Sequence, residues 1–135
     1  MPFTHVFPGI RRLLVSVLLT SPAGGPALAG SFAFVTNQNS SDVSVLDLEN
    51  REEIRRVPVP GKPAGIAVSS ELNSFYTVSP DSKTVRRFSL ATCKVIASAE
   101  LPGGPTGVAA APKSGLIFVS DWYNARVFVL DAEEL

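Results

Sequence analysis

The chain repeats itself at an interval of 42 residues. FVTN (34–37), YTVS (76–79) and FVSD (118–121) recur in that register, and so do DVSVLD (42–47), TVRRFS (84–89) and RVFVLD (126–131). A third landmark, PGKPAGIAV (60–68) followed by PGGPTGVAA (102–110), keeps the same spacing. Three landmarks on one period indicate copies of a single supersecondary unit, which must bury its apolar faces against its neighbours.

Within one copy, short runs of Val, Ile, Phe and Tyr alternate with clusters of turn-forming residues, which is the pattern of strands joined by tight turns. The central copy predicts four strands, over 64–69, 74–78, 84–90 and 94–101. No apolar period of 3.6 persists long enough for a helix. Four strands in about 42 residues predict an all-β chain of antiparallel β-propeller blades, over 31–60, 61–101 and 102–135. The strands differ as a blade requires. AGIAV (64–68) and TGVAA (106–110) use small residues, as expected where inner strands crowd around an axis. FAFV (32–35), SFYTV (74–78) and LIFVS (116–120) are apolar at successive positions, as expected of a strand covered on both faces. EEIRRVPVP (52–60) mixes charge with aliphatics and ends in prolines, which marks an outer edge.

Composition agrees with this reading and excludes several function classes. Hydrophobic residues make up 45% of the 135 and charged residues 18%, with a formal net charge of zero. A neutral chain is not a basic nucleic-acid binder, and a chain this apolar is not an acidic disordered tail. One Cys and one His exclude a disulfide framework and a Cys/His zinc site.

The first 29 residues read as an address. Arg11 and Arg12 precede the apolar run LLVSVLLT (13–20), and SPAGGPALAG then offers Ala27-Leu28-Ala29 as a small-x-small cleavage site. These are the three parts of a secretory signal peptide, and the apolar run is well short of the roughly 20 residues that span a bilayer. The expectation is a periplasmic or secreted product with no membrane span after cleavage. That product has 10 basic and 12 acidic residues and loses His5, the only imidazole. Serine–histidine and cysteine–histidine catalysis are then excluded within it, and neither a cofactor nor a metal is expected.

F-V-T-N-x-x-x-x-D-V-S-V-L-D (34–47), followed by P-G-K-P-A-G-I-A-V-S, resembles the YVTN repeat of bacterial and archaeal β-propellers across nearly all of residues 31–135. Phe34 departs from the usual tyrosine, and SPDSKTVRRFSL keeps the spacing with little identity. The resemblance implies a propeller fold and leaves three functional settings open. These are an exported binding module, a subunit or relative of an amine-dehydrogenase or lactonase propeller enzyme, and a surface-layer structural protein.

Strand counting expects three strands in the first blade, four in the second and three in the third, fewer than a closed ring needs. Apolar faces would then require further blades, from a longer chain or by self-association. Up-and-down topology puts residues 37–42, 58–65, 79–83, 101–107 and 121–126 on one loop-rich face, the expected place for an unknown protein or small-molecule ligand. There Asp121, Trp122, Tyr123 and Asn124 stand out. Trp122 and Tyr123 either present an amphipathic contact surface or fold over the blade as a cap, and Arg126 is expected to pair with an acid. Arg55-Arg56 and Arg86-Arg87 are short basic pairs, of which the former, beside Glu52 and Glu53, reads as a solvated outer edge, and Cys93 starts an outer strand as a structural or incidental residue. Glu52-Glu53 and Glu133-Glu134 point to opposite faces and cannot form an acid–base dyad. Gly61, Gly103 and Gly104 read as inter-blade turns, since no helix follows them to receive a phosphate.

Overall fold

Alternating apolar positions and turn residues give ten strands in the computed structural model, which describes residues 30–135. The signal-peptide assignment falls on residues 1–29, outside that range. The strands are β1 (Phe32–Asn37), β2 (Asp42–Asp47), β3 (Glu52–Pro58), β4 (Gly65–Ser69) and β5 (Ser74–Ser79). They continue with β6 (Thr84–Ser89), β7 (Val95–Glu100), β8 (Pro105–Ala111), β9 (Leu116–Asp121) and β10 (Arg126–Asp131). A single 3-10 turn, Pro112–Ser114, is the only helical segment among the described residues. Three antiparallel sheets result, ordered β1-β2-β3, β4-β5-β6-β7 and β8-β9-β10, here called blades 1, 2 and 3. Register against blade 2 makes β1, β5 and β9 equivalent, so blade 1 holds the second to fourth strands and blade 3 the first to third.

The 42-residue period is carried by the backbone as well as the side chains. Left-handed conformations recur at Ser41, Lys83 and Ala125, at Arg51 and Cys93, and at Asn73 and Gly115. The hairpins Ser31–Leu48, Asn73–Leu90 and Gly115–Ala132 are each closed by the same amide-to-carbonyl bond, at 3.0, 3.0 and 2.8 Å. Register slips at Val45/Leu46 and again at Arg87/Phe88, so even the bulge that turns the outer strand is repeated. Cys93 lies in the left-handed turn before β7 and does not open that strand, and its amide donates to Ser89 O at 2.8 Å.

Two cores lie between the blades. Val43, Val45, Val57 and Val59 of blade 1 enclose Phe75 and Phe88 of blade 2. Phe75 stacks on Phe88 with ring centroids 4.6 Å apart and meets Phe34 at 5.0 Å. On the other side, Tyr76, Val78 and Val85 of blade 2 meet Ile117, Val119 and Ala132 of blade 3. β5 therefore sends alternate side chains into two different cores, and all six of its residues are buried.

The two arginines of β6 do the same with charge. Arg86 donates to Pro60 O at 3.0 Å and Ser79 Oγ at 3.2 Å on the blade 1 side. Arg87 donates to Ser74 Oγ at 2.9 Å and Glu133 O at 3.2 Å, reaching blade 3. This doublet ties adjacent blades together. Arg55 and Arg56 do lie exposed on the outer strand β3.

Candidate functional site

Each chain crossing between blades begins at the same face. Val59 donates its amide to Ser41 O at 2.9 Å, and Leu101 donates to Lys83 O at 2.7 Å. The Pro60-Gly61 turn then rests against hairpin 79–83, where Lys62 pairs with Asp81 at 3.1 Å. The Pro102-Gly103 turn rests against hairpin 121–126, with Trp122 N donating to Gly104 O at 2.9 Å. The inter-blade turns and the second-to-third-strand hairpins thus share one loop-rich face, as topology requires.

At blade 3 this face is organised by Asp121. It ends β9 with only 2% of its surface exposed. Oδ1 accepts from the Gly104 amide at 2.9 Å and the Tyr123 amide at 3.2 Å. Oδ2 accepts from Asn124 Nδ2 at 2.8 Å and from Arg126 Nε at 2.9 Å. The Gly104 amide above all, then Asn124 and Arg126, holds the carboxyl well below the usual carboxylate range against the opposing effect of burial. Arg126 also donates Nη2 to Pro102 O at 2.8 Å and lies 4.5 Å over the Phe128 ring. Gly103 has φ +119°, and a Cβ there would collide with the Asp121 carboxylate, so glycine is required by conformation and by space.

The four singled-out residues therefore divide into two pairs. Asp121 and Asn124 are spent on holding the loop, and Arg126 has the acidic partner expected of it. Trp122 and Tyr123 are each 77% exposed. The arrangement in which Trp122 caps the blade does not occur: its amide is tied down while its indole faces solvent. Tyr123 places one ring edge beside the Gly104 backbone, where a side chain would displace it. The result is a broad, adjacent aromatic pair on a loop whose backbone is fixed by a buried carboxylate.

Sequence reasoning missed the role of Asp121. The available signal was an acid at a strand end, an arginine five residues later and a Pro-Gly-Gly turn one strand earlier. It also missed a second polar network, in which Asn37 Nδ2 donates to Asp42 Oδ1 at 2.7 Å and to Ser44 Oγ at 2.8 Å. Ser44 Oγ in turn donates to Glu53 Oε2 at 3.0 Å, and Arg56 bridges Glu53 and Asp42. Glu53 acts through these partners and not with Glu52. Among the described residues, no group of three or more His, Cys, Asp or Glu side chains is placed to hold a metal ion.

Comparison with known proteins bears on the fold. Residues 103–130 match the NHL repeat, so the match covers most of blade 3. A search of curated proteins by sequence returned no match. Among solved structures, the hydrazine synthase of Kuenenia stuttgartiensis is similar with a TM-score of 0.70 and 20% identity over 89% of this chain and 36% of that one. The dihydro-heme d1 dehydrogenase NirN in complex with DHE gives 0.68 and 22% over 87% and 26% of the two chains. A functionally unknown protein from Desulfotomaculum acetoxidans gives 0.65 and 16% over 74% and 32%. The chain spans about a third of the length of these structures, and identities this low speak to fold alone. Strand order, repeat period and these likenesses agree that the chain carries a β-propeller repeat fold.

Proposed function

We propose that this is an exported β-propeller repeat protein of the YVTN type. On this reading it acts by binding a protein or small molecule at its loop-rich face and not by catalysis. The observation that carries the reading is the Trp122–Tyr123 pair, exposed at 77% each beside a loop fixed by Asp121. Large rigid aromatics on a preorganised loop make contact area at small entropic cost. Export is supported by the charge, apolar run and small-residue motif of residues 1–29.

Trp122 is the only tryptophan, so its fluorescence reports on this loop directly. A ligand drawn from a periplasmic extract blue-shifts that emission and is retained on immobilised protein, and Trp122→Ala with Tyr123→Ala abolishes the retention. Equal retention by the double variant overturns the reading. An alkaline-phosphatase fusion to residues 1–29 tests export separately.

A second reading has its own support. Two of the similar structures bear the names of redox enzymes, a hydrazine synthase and a dihydro-heme d1 dehydrogenase. Under that reading the chain supplies blades to a larger propeller enzyme whose reacting groups lie on other blades.

A further inference from the structure

The period of 42 allows every exposed position to be compared with an equivalent that has a neighbour. On the side of blade 2 that faces blade 3, Tyr76 and Val85 are fully buried. Their equivalents on the outer side of blade 3 are Phe118 and Val127, exposed at 37% and 59%, with Val129 beside them at 57%. Phe118 pairs across the sheet with Ala109 on one side and Val129 on the other, so the row is continuous and uncharged. At the opposite end, Val35 and Leu48 of blade 1 are exposed at 43% and 51%. Their equivalents in blade 3 are Val119 and Ala132, both 0% exposed and seated against blade 2. Each chain thus carries, at its two ends, the two opposite halves of the interface that it builds internally between blades 2 and 3.

We propose that these ends dock on one another: the Phe118–Val127–Val129 face of one copy is covered by the Val35–Leu48 face of blade 1 of a second copy. The contact continues an interface type already present twice in the molecule, with equivalent positions meeting in the same sense; in blade 2 the place of Val129 is taken by Arg87 and that of Val35 by Thr77. It is heterologous, head to tail, so it adds copies around a ring or along a stack and does not pair like with like. Two copies bring six sheets together, within the roughly four to eight blades of closed propellers. The docking stands independently of any ligand at the loop-rich face.

Sedimentation velocity of the 135-residue chain across a hundredfold concentration range tests it, with Val129→Lys and Val35→Lys as variants. Both positions face solvent in the single copy, so lysine leaves the fold intact, which a circular-dichroism melt checks. The wild type sediments as a dimer or larger species, and each variant alone sediments as a monomer. An equimolar mixture of the two variants forms a 1:1 heterodimer, because one intact half of the contact remains on each. Ile96→Lys, on the outer strand of blade 2, associates like the wild type. A wild type that stays monomeric throughout overturns the proposal and assigns both faces to blades outside this chain. Variants that associate like the wild type, or a mixture that fails to recombine, overturn it equally.

Discussion

β5 and β9 occupy the same place in their blades and differ in what surrounds them. β5 (SFYTVS) is buried at every residue, while β9 (LIFVSD) alternates, with Ile117, Val119 and Asp121 buried and Phe118 and Ser120 exposed. Both strands are apolar enough to be covered twice. Only β5 has a sheet on each side within the chain. The difference teaches that the amino-acid pattern specifies a strand for a two-sided position, whereas burial is conferred by a neighbour. Gly65 and its equivalent Gly107 show this at the backbone. A Cβ on Gly65 would lie 2.6 Å from Thr106 O of the next blade, but one on Gly107 would meet only the Ser120 side chain of its own blade, at 2.8 Å.

Substitutions can be chosen to break that contrast. The largest effect is expected at the stacked aromatic centre, where Phe75→Ala costs about 3–5 kcal/mol by leaving a cavity between blades. Phe118→Ala costs about 1 kcal/mol in the dissociated chain. Urea midpoints measured at low protein concentration compare the two, and equal losses would erase the distinction between covered and open faces. Next, Gly65→Ala pushes β4 away from β8 and costs about 2 kcal/mol. Gly107→Ala costs less, because a hydroxyl can turn aside where a backbone carbonyl cannot. Thermal melts of the pair show the order.

Asp121→Asn sharpens the comparison at the loop, since the equivalent position in blade 2 is the uncharged Ser79. The folded-state carboxyl is held below its ordinary value, so the native state binds the proton less readily than the unfolded chain. Its contribution is complete at neutral pH and is lost as pH falls below about 4 toward the depressed folded value. The stability gap between wild type and variant is therefore wide at pH 7 and narrows on acidification. A gap that does not change with pH would remove the carboxylate from this role. A smaller effect is expected at Tyr76, whose hydroxyl donates to Ala132 O of blade 3 at 2.8 Å. Tyr76→Phe costs about 1 kcal/mol, whereas Phe118→Tyr gains nothing in a single copy, where no third-strand turn of a following blade is present to accept. The smallest is Trp122→Ala, which leaves the melting temperature unchanged within about 1 °C because the indole is exposed.

Residues acting through near neighbours are legible in the sequence. Period, strand type, the small-residue inner strands and the Pro-Gly crossings all follow from alternation and turn chemistry, which act over a few residues of chain. The loop-rich face followed as well, because an up-and-down sheet leaves no other place for those loops. The candidate site was half legible. Trp122 and Tyr123 were found by composition alone. The burial of Asp121 was not, because its principal donor, the Gly104 amide, lies 17 residues away in the preceding turn.

The same division holds for the whole chain. By itself the sequence determined that units of 42 residues form antiparallel sheets with a small-residue inner strand and a charged outer one, since each choice is enforced by local steric and hydrogen-bonding demands. Only the tertiary structure decided which apolar faces are covered, which arginine of a pair turns toward which blade, and that a surface-seeming aspartate is a buried fastening. Those outcomes depend on what the next sheet places opposite each residue, and no local pattern records that.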